Sequence, residues 1–445
     1  MRTVILSDLH LGNGGSYDIF AGDEELPVLL GSLATSPTRV VLNGNTFDFL
    51  LNEDPPELDV PQAVRQAREL VTHAPTAKVM AALGRVLHAG GEVLIVLGNH
   101  DLELVLPEVQ AVLRDALQQP DSIAWRLSFP VPTEPLLLSV GGANILVTHG
   151  EQGDDTNRVD HDTLLAGTFG PSTPFRYPPG SLLVKSLLNP LKSREHLRYV
   201  DLLKPDIEGT VLTALGTHPA AVKAVLPPDT LRLLWRLLKN RGLRPAYSGG
   251  EELSEWEGFG QRLSEAGLTQ PEAAALANAL VASGPISFEG DEALEQARLK
   301  LVRAGLGRYS RAAPSVLAPE PSELAEARRL ASQYEARAVV MGHTHSARWQ
   351  QQASGHVYAN TGTWIWLLRM PSPEASDDTW RAFLQELRRN PSLETDCQRL
   401  AKVERRLTCV VVEPQPSGGA TMRLAEWKAG ALHTVSEATL PTTAA

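Results

Sequence analysis

The sequence predicts an α/β layered core interrupted by a large, mostly helical insertion, and three observations carry that expectation. Short runs of Val, Ile and Leu recur at residues 4–6, 40–42, 93–97, 145–147 and 338–341, unalternating and capped by Gly, Asn, Asp or His. Runs of that kind are how strands covered on both faces read. Segments with helical spacing lie between the early runs, and strands alternating with helices define a layered α/β core. After His149 the strand-like runs stop, and Leu- and Ala-rich helical segments broken by Pro and Gly take over.

Val79, Leu83, Val86 and Leu87 share one face of a helix that should stop at Gly90-Gly91. Residues 102–117 read similarly, with Pro107 interrupting the first turns. Beyond residue 154, helices are expected at 181–191, 219–226, 229–240, 271–282 and 289–304. Residues 155–332 are therefore expected to form a helical cap inserted between core segments 1–154 and 333–435, hanging over the loops that carry the chemistry. In the second core segment, 356–359 reads as a strand followed by the loop Asn360-Thr361-Gly362, which should shape the surroundings of His343. Residues 379–389 read as a helix and 408–413 and 421–427 as closing strands, while the small, polar stretch 436–445 reads as a disordered tail.

With 445 residues the chain can bury a large core in two or three structural units. It has no apolar run of the roughly 20 residues needed to span a bilayer. A secretory leader is not expected, because the first apolar stretch runs straight into Asp8 and His10. Cys397 and Cys409 are the only cysteines, too few for a disulfide framework, which favours a cytoplasmic location. A net charge of −11, from 41 basic and 52 acidic residues, argues against indiscriminate binding to nucleic acid.

Each buried-strand run ends in a chemically loaded motif, and open α/β sheets place ligands at those carboxyl ends. They are Asp8-Leu9-His10, Gly44-Asn45-Thr46-Phe47-Asp48, Gly98-Asn99-His100-Asp101, Thr148-His149-Gly150 and Gly342-His343-Thr344-His345. Asp8 and His10 alternate along an extended chain, so both can reach one ion. His343 and His345 repeat the spacing beside Gly342, whose missing side chain permits close approach. Asn99 offers an amide oxygen, and His100 an imidazole able to carry a proton. Together the set supplies nitrogen and oxygen ligands of the kind that hold two divalent ions close together.

In that order the motifs resemble the calcineurin-like metallophosphoesterase family, over roughly residues 1–150 and 336–365. The resemblance implies a four-layer sandwich, two sheets flanked by helices, with two metals at the sheet-edge loops. It implies that Asp8, His10 and His345 bind one metal, that Asn99, His149 and His343 bind the other, and that residue 45 bridges both. His100 would contact the scissile phosphate or protonate the leaving oxygen, with Asp48 or Asp101 orienting its ring. A hydroxide held between the metals would be the nucleophile. With no thiolate in the set, Mn, Fe or Zn suits it better than Ca or Cu(I), and Mn is favoured. The implied activity is hydrolysis of a phosphomonoester, phosphodiester or pyrophosphate bond of a small molecule. The Asp-x-His-Leu start and helical insertion are similar to those of bacterial UDP-diacylglucosamine pyrophosphohydrolases. This chain is far longer and keeps His100, which those enzymes often replace.

Asn45 departs from the pattern, which has a bridging carboxylate there. An amide keeps one ligating oxygen, but it is neutral and its NH₂ group cannot ligate. At least one metal is therefore expected to bind weakly and activity to be reduced. An inactivating change, natural variation that leaves some activity, and a non-catalytic phosphate-binding or regulatory module all stay open.

After His149 the loop 151–158 must leave the site, so Asn157 and Arg158 are candidates to touch substrate phosphate, although Asp, Asn and Gly are also ordinary turn formers. In the insertion, residues 231–241 mix Leu and Trp with four basic residues. They read as a cap helix with a solvated basic face, or as a peripheral contact with an anionic membrane that would suit a nucleotide-linked lipid pyrophosphate. His73, His88, His218, His356 and His433 read as surface or structural histidines, and His161 is open.

Overall fold

The computed structural model describes all residues except 16–17, 53, 118–119, 131–133, 170–174, 203–206, 228–233, 235–262, 282–291, 311–316, 373, 392–402 and 444–445. They fall into two compact units: Met1–Ser181 with Pro314–Trp366 and Arg405–Ala445, and Leu182–Ala313 with Leu367–Glu404.

The first unit holds two sheets. β1 (Arg2–Leu6), β2 (Thr38–Asn43), β3 (Glu92–Val96) and β4 (Leu127–Ser128) run parallel. On the other side of β1 the sheet continues antiparallel through β12 (Thr408–Pro414), β13 (Ala420–Lys428) and β14 (Ala431–Leu440). The second sheet has the order β5 (Leu136–Val140), β6 (Ala143–Val147), β7 (Ala338–Met341), β9 (Val357–Thr361), β8 (Ala347–Gln351), with β6, β7 and β9 parallel. Ile5, Val41, Val410 and Leu424 of one sheet share a core with Ile145, Val147, Val340 and Ala359 of the other, all fully buried. These are the residues whose alternate neighbours face the outer helices, which is why the runs show no polar alternation.

Helices cover the outer faces. α3 (Ala74–His88) packs on β3, and α1 (Glu25–Leu33), α2 (Val60–Thr72) and α4 (Pro107–Ala116) pack against α3. Over the second sheet, the helix Pro321–Gln333 presses Ala327, Leu330 and Ala331 onto Leu146, Val339 and Tyr358. Helix, sheet, sheet, helix is the four-layer arrangement that the resemblance implies.

Several expectations need correction. Pro107 starts α4 instead of interrupting a helix, because the first turn has no use for its missing N–H, and Leu102–Val105 form a separate 3₁₀ turn. Residues 436–440 are not disordered. They finish β14, where the ladder to β13 holds the backbone and period-two alternation buries Ala438 and Leu440. The compact units are also drawn differently from 155–332: residues 155–181 and 317–332 group with the sheets, and residues 367–404 with the helical unit.

Among its described residues the second unit is helical, apart from the two-residue strands β10 (Leu367–Leu368) and β11 (Val403–Glu404). Its helices include Ile207–Thr217, Pro219–Val225, Gln270–Val281, Glu292–Ser310 and Asp377–Arg389. Of the basic stretch 231–241 only Leu234 is described, and it is buried, so the membrane-contact expectation lies outside the described residues. No helix of the described residues is long and apolar enough to cross a membrane.

Arg298 is fully buried in this unit and donates to the carbonyls of Gly216 (2.7 Å) and Thr217 (2.6 Å) and to Glu295 (2.9 Å). Those carbonyls end the helix Ile207–Thr217 and have no partner within it. Arg298→Met is expected to cost about 3 kcal/mol in urea unfolding, since two buried acceptors lose their donors. A loss below about 0.5 kcal/mol, the range of an indifferent surface change, would overturn that role.

Candidate metal centre

Each motif begins one or two residues past the end of β1, β2, β3, β6 or β7, so the two parallel halves deliver their loops to one place. The backbone there is forced. Asp8, His10, Asn45, His343 and His345 all have positive φ, between 48° and 67°. Such a conformation costs a non-glycine residue free energy that only surrounding structure can hold, and it concentrates at functional sites. Gly44, with φ of 81°, lets β2 turn where a β-carbon would collide with the His149 ring. A β-carbon at Gly342 would likewise strike Ser7 and come within 2.7 Å of the Asp8 carboxylate.

Asp8, His10 and His345 are buried, and their ligand atoms all lie within 4.8 Å of one another. One Asp8 oxygen is occupied outside the cluster, by the His343 N–H (2.9 Å) and the Ser7 hydroxyl. The other faces His345 Nε2 (3.4 Å), His149 Nε2 (3.9 Å) and His10 Nε2 (4.0 Å). His10 gives its Nδ1 proton to Asp48 (2.6 Å), and His149 gives its own to the Asn43 carbonyl (2.9 Å). Both therefore turn a bare Nε2 inward. His10 Nε2 sits 3.2 Å from His345 Nε2, and His149 Nε2 sits 3.3 Å from Asn99 Oδ1. Ring nitrogens, a carboxylate oxygen and an amide oxygen gathered this closely are a donor set that a cation would satisfy. His343 Nδ1 and His345 Nδ1 are buried without hydrogen-bond partners. Divalent metals fit these residues.

Electrostatics agree. Burial opposes ionisation of Asp8, but His149, His345 and His10 reverse the sign and hold it well below the usual carboxylate range. Burial pushes His345 down to about 4 and also lowers His149.

Asn45 lies within the cluster with its amide reversed from a ligating pose. Its Oδ1 accepts the His100 N–H (3.0 Å), and its Nδ2 donates to Asp8 Oδ1 and Asn99 Oδ1 (3.3 Å each).

His100 holds Asp48 through Nδ1 at 3.1 Å, and it has the most exposed of these imidazoles, at 17%. Burial lowers its pKa, but the Asp48 carboxylate outweighs burial and raises it. Asp48 itself is kept ionised by His100 and His10 despite its burial. Asp101 makes no hydrogen bond to the His100 ring, although its charge helps to raise the His100 pKa. Its oxygens accept the backbone N–H groups of Gly98 (2.6 Å) and Thr46 (2.7 Å), tying two motif loops together, and burial pushes its pKa up to about 7.

The two substrate candidates separate. Arg158 is half-exposed and pairs with Asp155 (2.7 Å) and the Gln152 carbonyl. Buried Asn157 instead accepts from Asn99 Nδ2 (3.2 Å) and donates to Asp154 (2.8 Å). Sequence reasoning missed Asp154, whose Oδ2 lies 3.0 Å from His343 Nε2. It also missed buried Glu151, which lies 3.5 Å from His161 and is held at about 2 against the effect of burial by His161 and His149. Among the other histidines, His218 is half-buried in the second unit against Tyr199 (3.2 Å), and desolvation lowers it to about 4. His433 is exposed and His356 is half-buried.

No family model and no curated protein matches the chain. Among solved structures, a dimetal phosphatase from Danio rerio aligns over 99% of this chain and 99% of its own length, with 10% identity and a TM-score of 0.35.

Proposed function

We propose that this protein is a metal-dependent phosphoesterase that hydrolyses a phosphomonoester, phosphodiester or pyrophosphate bond of a small molecule. The observation that carries the reading is the convergence of Asp8, His10 and His345 into one buried cluster, with Asn99, His149 and His343 beside it. Asp8, His10 and His345 would hold one divalent ion and Asn99, His149 and His343 a second, with Asn45 bonded to Asp8 and Asn99 of the two sets. When bound, paired ions supply a water acidic enough to attack at neutral pH and positive charge for the displaced oxygen.

The chain's own groups do the rest. Asp48 accepts the Nδ1 proton of His100, which leaves Nε2 as the atom that delivers a proton to the departing oxygen. The same carboxylate fixes His10 so that its bare nitrogen faces the ion. Asp101 holds the β2 and β3 loops together, so His100 and Asn45 keep their positions.

Asn45 favours a second reading, a phosphate-binding module without turnover, because its amide nitrogen already donates to two of the ligand oxygens. An assay with bis(p-nitrophenyl) phosphate, p-nitrophenyl phosphate and a nucleoside diphosphate ester separates them. The phosphoesterase reading expects slow turnover of at least one ester in millimolar Mn²⁺ that stops on adding EDTA. Turnover that survives chelation, or none at all here and in Asn45→Asp, removes it.

A further inference from the structure

Asp154 and Asn157 lie on a polar loop whose composition reads as an ordinary turn, yet they touch two of the second ion's three ligands. Asp154 Oδ2 is 3.0 Å from His343 Nε2 and also takes the Asn157 Nδ2 proton (2.8 Å). Its other oxygen is held by the N–H (3.0 Å) and hydroxyl (2.6 Å) of Thr156, so the carboxylate is fixed on both sides. Asn157 Oδ1 in turn accepts from Asn99 Nδ2 (3.2 Å), and the Asn157 side chain is buried. A chain of hydrogen bonds therefore runs His343, Asp154, Asn157, Asn99.

Each link has a chemical consequence. A carboxylate on Nε2 keeps the proton there and leaves His343 Nδ1 bare, and that nitrogen is buried with no partner of its own. An acceptor on Asn99 Nδ2 fixes which way the amide points, so Asn99 Oδ1 faces inward, 3.3 Å from His149 Nε2. We propose that Asp154 is a positioning residue for the second ion, fixing the tautomer of His343 directly and the amide of Asn99 through Asn157. It also restores near that ion a negative charge that Asn45 does not provide. This rests on the metal centre described above, and not on which ester is hydrolysed.

The test uses the full-length chain and Mn²⁺ alone. Isothermal titration with Mn²⁺ should find two ions in the unsubstituted protein. In Asp154→Asn the weaker ion should lose about 10- to 100-fold in affinity while the tighter one changes less than about threefold. Asn157→Ala should weaken the same ion, and Arg158→Ala, on the same loop, should change neither. Long-range ¹H–¹⁵N spectra of the metal-free protein add a readout that a merely structural role would not move. His343, assigned by its loss in His343→Gln, should carry its proton on Nε2, and Asp154→Asn should give mixed tautomers. Circular dichroism shows whether each variant is folded.

Equal weakening of both ions, unchanged affinity in a folded Asp154→Asn, an unchanged tautomer, or fewer than two ions in the unsubstituted chain each overturns the proposal. Two ions with the expected Asp154 effect but no ester hydrolysed would leave this inference standing and remove the phosphoesterase reading.

Discussion

Asn45→Asp is expected to raise Mn²⁺-dependent turnover by about 100-fold or more, a gain near 3 kcal/mol in the barrier, and to make the metal-free protein less stable. Both effects follow from the pose of the amide. Asn45 Nδ2 now donates to Asp8 Oδ1 and Asn99 Oδ1, partly doing the work of a cation by giving two converging acceptors a shared donor. A carboxylate cannot donate. Without metal it would set a second negative charge beside buried Asp8, an uncompensated burial worth about 3 kcal/mol. With two ions bound the sign would reverse, because the added negative charge would offset part of their repulsion. Thermal unfolding should therefore show Asn45→Asp melting below the unsubstituted chain in EDTA and above it in millimolar Mn²⁺. A variant that melts identically in both buffers would mean that residue 45 does not face the ions. Stronger Mn²⁺ binding with no gain in turnover on any ester would favour the phosphate-binding module.

How much of this was legible in the sequence depends on where the signal was stored. The runs at 4–6, 40–42, 93–97, 145–147 and 338–341 became β1, β2, β3, β6 and β7 because strands covered on both faces need unbroken apolar side chains, and composition records that need. The ligand motifs were readable because each follows directly on such a run. Edge strands carry no such mark: β8 reads Ala-Arg-Trp-Gln-Gln, and β14 is half polar, since each is held by a ladder on one side only. The positive φ of Asp8, His10, Asn45, His343 and His345 was invisible, because none is the glycine that usually announces it. Asp154 was hidden among Asp, Gly, Thr and Asn that look like turn formers. The one available signal was an acid within a few residues of a strand-end histidine. Arg158 pairs with Asp155 in the fold, a contact that its charge alone did not point to.

His100→Asn is expected to lower turnover by about 10²- to 10⁴-fold, the range for losing a positioned proton donor, without displacing either ion. The imidazole lies beside the cluster: its nearest ring is His10 at 4.8 Å between centroids, and its Nδ1 is committed to Asp48. The loss should shrink on esters whose leaving group is already a stable anion, such as p-nitrophenolate, because those need no proton to depart. It should be largest on alkyl esters. The pH profile gives an independent check. An acid must be protonated to act, so turnover falls as pH rises through the His100 pKa, which Asp48 raises. Asp48→Asn removes that support and should move the alkaline limb to lower pH. It also frees His10 Nδ1 and weakens the ion held by Asp8, His10 and His345. His100→Asn should abolish the alkaline limb while Mn²⁺ titration stays unchanged. If His100→Asn instead released an ion, or slowed activated and alkyl esters equally, His100 would be a ligand or a phosphate contact, and the proton would have to come from elsewhere.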